Sequence, residues 1–414
     1  MHLEIPYGLQ SEKVVWNARY APDRVGRVAG GVADPAPLIR QACAQPVDSV
    51  PLDEFLRRAR DLLVVINDAT RATPTGTILH ALREKLAAVP RVKIVVATGL
   101  HRAPNDDEYR TLLGPTHDDF RAVCFAHDGN KPEELEWVDG GEQRVLINPS
   151  VPAADRILVI NSVEPHFFAG YTAGRKSFLP GLAGYPSVEA SHAGAVAEAA
   201  APLRVAGNPI REFIDRNTGF IDCAKVFALQ VVLDRDDKIA RVYAGNIDST
   251  FRLACAVAHK FYTMPVHRRY EIVLALVRPP LDINLYQTEK AWEHARYGLV
   301  QGGILICVSR CREGAGSDFY QRLNVEYPDH AQWLELEHQP YRMGLHKLVR
   351  TARMWRQGDL WVVSDVDEDT ARRAWYEPKP SVQQALDDAL AKQGREASLL
   401  IIDDAALTVP VVVE

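Results

Sequence analysis

The sequence predicts an α/β protein with two domains, each built on a largely parallel sheet, and an active site in the cleft between them. Three observations carry this expectation. Short β-branched runs recur along the chain, each ending in a polar loop; stretches of helical periodicity separate them; and 414 residues exceed the size at which one hydrophobic core keeps growing. Runs that are apolar on both faces suit strands covered on both sides, as in a parallel sheet. Strand, loop and helix in alternation then specify the architecture.

The elements follow in chain order. Residues 62–66 read as the first strand and run into a polar loop from Asn67 to Pro74. Ile78, Leu79, Leu82 and Leu86 recur at helical spacing and predict a helix over about 77–86. Residues 92–96 form the next strand and lead to Thr98, Gly99, Leu100, His101 and Arg102, while 156–160 lead to the loop that ends at His166. A second α/β unit begins near residue 265, with a strand at 270–277, a loop over 278–282 and a helix from about Leu285. Further strands are expected at 303–308, 360–364 and 398–402. Pro410 lacks a backbone N–H, so the last run, 408–413, is expected at a sheet edge. The expected division is 1–264 and 265–404, with 405–414 returning to the first domain.

Bulk properties exclude several classes. Net charge is 48 − 54 = −6 with no basic block, so there is no electrostatic footprint for nucleic acid. No run reaches the roughly 18–20 apolar residues of a membrane span. The start lacks the basic and apolar regions of a secretion signal. Six scattered cysteines fit neither a zinc site nor a disulfide framework and are expected as reduced, buried thiols. A cytoplasmic protein with a small-molecule substrate is the expectation.

Asp68, Arg71, His101 and His166 each fall just past the carboxyl end of a predicted strand, the edge along which open α/β sheets bind ligands. Any one of them alone reads as an ordinary loop residue; together they point to one cleft fed by three loops. An imidazole, with a pKa near 6.5, serves as acid or base at neutral pH. Two on one edge suit a reaction that inverts a stereocentre, since enantiomers present their reacting groups in mirrored positions. Lys176 lies among Gly170, Gly174 and Gly181. Its amine can bond covalently to a carbonyl or acyl group, or serve as a solvated or phosphate-binding lysine. His192, in a small-residue stretch expected to be helical, reads as a surface residue or a metal ligand. With no HExxH, no paired metal-binding cysteines and no calcium loop, a metal held wholly by protein is unsupported. Gln287 and Lys290, three apart, share a helix face. They could reach a carboxylate together with Arg71, or form a plain exposed face. His80, His117, His127, His294 and His346 have no comparable context and are read as structural. Dinucleotide and P-loop glycine motifs are absent; Arg175 stands where the second P-loop glycine must be.

Taken together, residues 5–8, 68–74, 98–102, 161–192 and 287–290 resemble the nickel-dependent lactate racemase family, whose members racemise or epimerise 2-hydroxy acids. The run from Glu164 to Lys176 is the most specific part. The resemblance implies a nickel pincer nucleotide, a pyridinium mononucleotide that holds the metal through two sulfurs and a ring carbon. It implies that Lys176 joins this group through a thioamide and that His192 completes a square-planar nickel site. By the same resemblance His101 and His166 are the catalytic pair, and Asp68, Ala69, Thr70 and Arg71 hold the nucleotide. Arg71, Gln287 and Lys290 would then contact substrate. Cofactor-making proteins are implied as transient partners. Ala72 and Leu100 depart from the usual pattern without removing a chemical group, and the particular substrate stays open among lactate, malate, an aromatic lactate and a sugar acid. Two other readings remain: Schiff-base chemistry at Lys176 with a pyridoxal-type cofactor, and a cofactor-binding protein without turnover.

Overall fold

Two six-stranded sheets organise the chain in a computed structural model that describes residues 1–8 and 10–413. The first sheet runs Ile239–Gly245, Val226–Leu233, Arg156–Ser162, Asp61–Asn67, Arg91–Ala97, Cys124–Ala126. All its pairings are parallel except the first. The second runs Glu377–Pro378, Gly358–Val363, Leu299–Val308, Tyr270–Leu276, Leu399–Ile402, Asp23–Val25 and is parallel throughout. The expected mixed α/β class with largely parallel sheets is therefore what the chain forms.

Local sequence explains the central strands. Leu62 to Ile66 and Ile94 to Val96 are buried, because helices cover both faces of the sheet. Each such Val or Ile taken from water contributes about 1.5–3 kcal/mol. The helix Thr75–Ala87 turns Ile78, Leu79, Leu82 and Leu86 inward, and all four are fully buried. Its start is the loop that carries Asp68 and Arg71, so core packing of this helix anchors that loop.

Several placements differ from the sequence expectation. The hairpin Val226–Leu233 and Ile239–Gly245 was not anticipated; it closes one edge of the first sheet, and its first strand is buried along its whole length. The opening residues, expected with the first unit, join the second sheet. Asp23–Val25 is its edge strand, and Ile5, Val14 and Trp16 from the hairpin His2–Tyr7 and Gln10–Val15 enter its core. The strand Val409–Val412 pairs with Thr263–Val266 at the junction between the two sheets, with Pro410 on it; residue 414 lies outside the described residues. The helix Leu285–Ala295 is buried on nearly every side instead of presenting an exposed face, because it packs between the sheets.

One hydrophobic cluster bridges the two halves, joining Tyr171, Ala173 and Phe251 to Trp292, Leu345 and Leu348. Among the described residues all six cysteines are free, five of them buried and Cys223 half-buried. No helix among them is long and apolar enough to cross a membrane.

Candidate active site

Three neighbouring strands of the first sheet, Arg156–Ser162, Asp61–Asn67 and Arg91–Ala97, end side by side. The loops beyond them line a cavity of about 180 Å³. Asp68, Thr70, Arg71, His101, His166, Lys176, His192, Gln287 and Lys290 all face it. Ala69 does not; it fills the turn between Asp68 and Thr70 without lining the cavity.

The Asp68 loop and the His101 loop meet directly. Asp68 Oδ2 lies 2.6 Å from His101 Nδ1, and Asp68 Oδ1 accepts from the Thr70 hydroxyl at 2.8 Å. Burial alone would raise the Asp68 carboxyl, but His101, Arg71 and Thr70 together hold it down to about 2. A carboxylate so close fixes the His101 proton on Nδ1 and leaves Nε2 bare toward the cavity. Gln287 Nε2 stands 3.4 Å from that nitrogen.

His166 is built differently. The chain reverses over a two-residue pairing of Pro165–His166 with Gly170–Tyr171. Gly170 has φ of +75°, and a Cβ there would run into the Arg204 carbonyl, so only glycine closes this turn. His166 packs against Phe167 and Phe168, with ring centroids 5.2 and 4.5 Å away. Its Nδ1 accepts from the Ala169 N–H at 3.3 Å, which places the neutral ring's proton on Nε2. Burial, then the charges of Lys176, Arg71, Lys290 and His192, hold its pKa well below the ordinary value.

Lys176 stands on a short 3₁₀ turn, Gly174–Ser177. Its amine lies 5.9 Å from the Phe168 ring centroid, and no carboxylate among the described residues pairs with it. Burial, then Arg211 and Arg71, push its pKa well down. His192 ends the helix Tyr185–His192. Its Nδ1 lies 2.8 Å from the Val188 carbonyl and 2.9 Å from the Ser191 hydroxyl, leaving Nε2 for a ligand. Burial, then the Lys176 charge, hold it near 3. No three His, Cys, Asp or Glu side chains among the described residues gather as a metal site.

The second sheet supplies the opposite wall. Asn284 caps the helix Leu285–Ala295 by accepting from the Gln287 N–H. Gln287 and Lys290 thus share the cavity-facing side, and Lys290 Nζ donates to Gln287 Oε1 at 2.5 Å. Burial, then Arg71 and Lys347, depress the Lys290 amine well below its ordinary range. Arg71 is steadied from behind by buried Glu164 at 3.4 Å. Sequence reasoning missed Tyr286, Met343 and Lys347, which also line the cavity. Lys347 is spent internally on Glu289 at 2.9 Å and the Tyr286 carbonyl at 2.8 Å. No local motif marks it, because a lysine on a helix reads as solvated. It also missed the Asp68–His101 pairing, which joins loops 33 residues apart.

Comparison with known proteins points to one family. Residues 22–203 match the family described as Lactate racemase N-terminal domain, and 271–413 match Lactate racemase C-terminal domain. The chain is 27% identical over 391 residues to the lactate racemase of Lactiplantibacillus plantarum, covering 88% of each chain. It is 26% identical over 350 residues to that of Thermoanaerobacterium thermosaccharolyticum, covering 79% of each. The fold matches the lactate racemase apoprotein structure from the latter organism with a TM-score of 0.86 at 22% identity, over 99% of this chain and 100% of that one. It matches a Thermotoga maritima protein structure at 0.72 and 17%, over 93% and 100%. The chain belongs to the lactate racemase family.

Proposed function

We propose that this member of the lactate racemase family is an isomerase that inverts C2 of a 2-hydroxy acid, lactate being the first candidate, through a planar 2-keto acid. The observation that carries the reading is the meeting of His101 and His166, from separate loops, on one cavity that also holds Lys176 and His192. A carrier of a cofactor needs no such pair.

In this reading the two rings share one catalytic proton: His101 Nε2 takes the hydroxyl proton of one enantiomer as the planar keto acid forms, and once that acid has turned, His166, starting as the imidazolium, gives its proton to the keto oxygen and is left neutral. In the reverse direction the roles exchange. Arg71, held by Glu164, and Lys290, held by Gln287, bind the carboxylate. Closure between the sheets keeps water from the keto acid. The C2–H bond is very weakly acidic for an imidazole to break, and in this reading the hydrogen leaves as hydride instead.

A nickel pincer nucleotide attached to Lys176 would supply that hydride acceptor. Lys176, His192 and the Asp68–Arg71 loop would hold it. The residues suit such a group. Among the described residues the Lys176 amine lacks a carboxylate partner, His192 offers a single free nitrogen, and no further protein donors gather, so a metal here needs donors carried by the bound group. Gly99, at φ +58°, lines the cavity beside Pro180 in backbone that favours glycine.

The test is to express the chain with the cofactor-making proteins and measure nickel per chain, mass added at Lys176, and optical rotation of L-lactate solutions. One nickel, added mass lost in Lys176→Ala, and racemisation are expected. Added mass fitting pyridoxal reduced onto Lys176 would favour Schiff-base chemistry instead.

A further inference from the structure

The helix Leu345–Gln357 belongs to the second sheet, yet one of its side chains reaches across to the segment that carries His166 and His192. Arg350 is 4% exposed, and each of its N–H groups has an acceptor. Nε and Nη2 donate to Glu293 at 2.6 and 2.8 Å. Nη1 donates to the carbonyls of Ala195 and Ala200 at 3.1 and 2.9 Å, and Nη2 also to that of Phe167 at 3.2 Å. Phe167 adjoins His166, and Ala195 and Ala200 lie in the turns that follow His192. A planar guanidinium has the five N–H groups in a rigid fork that this arrangement needs; an ammonium does not.

The two imidazole-bearing stretches contain little regular structure to hold them, being a two-residue pairing and the last turn of an eight-residue helix. Their carbonyls could otherwise bond to water and shift. Glu293, itself 1% exposed, sits on the Leu285–Ala295 helix with Gln287 and Lys290, so the fork registers those side chains against the imidazoles as well.

We infer that Arg350 is a positioning residue: fixed by Glu293, it ties the second sheet to the Phe167, Ala195 and Ala200 carbonyls and so sets where His166 and His192 stand. The inference rests on the proposed function for its kinetic consequence, whereas its structural consequence is independent of it. Arg350 and Glu293 also border a second cavity of about 770 Å³ on the side away from the site. Its four arginines and four glutamates balance, so removing the Arg350 guanidinium leaves the lining net negative and favours a small cation in its place.

That opening supplies the test, made on Arg350→Ala and Arg350→Lys with and without guanidinium. A misplacement of about 1 Å costs on the order of 100-fold in rate, so kcat of the loaded Arg350→Ala protein should fall at least about tenfold, with KM within about threefold of the parent. Millimolar guanidinium should restore part of it. Arg350→Lys keeps a charge beside Glu293 but cannot reach all three carbonyls, and should also lose turnover. In the protein without cofactor, deuterium uptake of Arg350→Ala should rise in peptides spanning 166–200, revert with guanidinium, and stay unchanged in Asp61–Asn67. Parental kcat in both variants, or a loss unrelieved by guanidinium with uptake rising across both sheets, overturns the inference. A loaded His166→Ala protein with parental turnover would instead undo the functional reading and leave the exchange result standing.

Discussion

His101 and His166 bring the same ring to one cavity from opposite kinds of surroundings. His101 is 40% exposed at the side chain and depends on a partner, Asp68, for its tautomer and direction. His166 is buried, has no carboxylate partner among the described residues, and depends on Phe167, Phe168 and a backbone N–H for its pose. In their neutral forms one offers a bare nitrogen and the other an N–H. The difference teaches that a symmetric task need not have symmetric machinery: an ionic partner orients the ring that water can reach, and dry packing among cations disfavours the charged form of the other.

The comparison can be broken most sharply at the rings themselves. His101→Ala and His166→Ala should each lose about 10³-fold in racemisation, within the range of general acid–base catalysis, with the content of the proposed nickel cofactor matching the parent's. Parental rates in either would remove that ring from the chemistry.

Asp68→Asn is the next largest. It spares both rings but removes the anion that orients His101, and about 10²-fold loss in kcat is expected at neutral pH. Its stability effect has a defined pH window. The folded carboxyl sits near 2 and the unfolded one near 3.9, so the carboxylate's contribution is present above about pH 4 and fades as pH falls through 2. Urea unfolding of parent and variant should differ above about pH 4 and converge as pH falls through 2. A gap that stays open below pH 2 contradicts the pairing.

Lys290→Met removes a cation that faces His166 and, through Gln287, adjoins His101. KM should rise about tenfold or more, as expected for one charge-assisted bond to carboxylate, with a smaller change in kcat. The smallest effect is local. Gly99→Ala forces a side chain into left-handed backbone beside His101 and should lower stability by about 1 kcal/mol, read from the urea midpoint.

Legibility in the sequence followed the range of the interactions. The strands around Val64, Val95 and Val159 could be read because β-branched runs and turn residues act over a few positions. From those strands came the loops, and from the loops the cavity with Asp68, Arg71, His101 and His166. The Val226–Leu233 strand escaped notice although it is wholly buried, since its hairpin partner defines it as much as its own residues do. Lys347 and Arg350 escaped because charged residues at helical spacing normally face water; here Glu289 and Glu293 neutralise them inside the molecule. Asp68 was read as a nucleotide holder, and its bond to His101 depends on two strands lying side by side.

By itself the sequence determined which groups leave the sheet's carboxyl edge, where glycine must stand, and which family these segments resemble. Only the tertiary structure decided that Asp68 serves His101, that His166 lies dry against two phenylalanines, and that the second sheet reaches over to hold them. Backbone preference and burial pattern are written within a few residues of chain. Which side chain meets which across a cleft depends on how whole strands and helices stack, and no short stretch of residues carries that information.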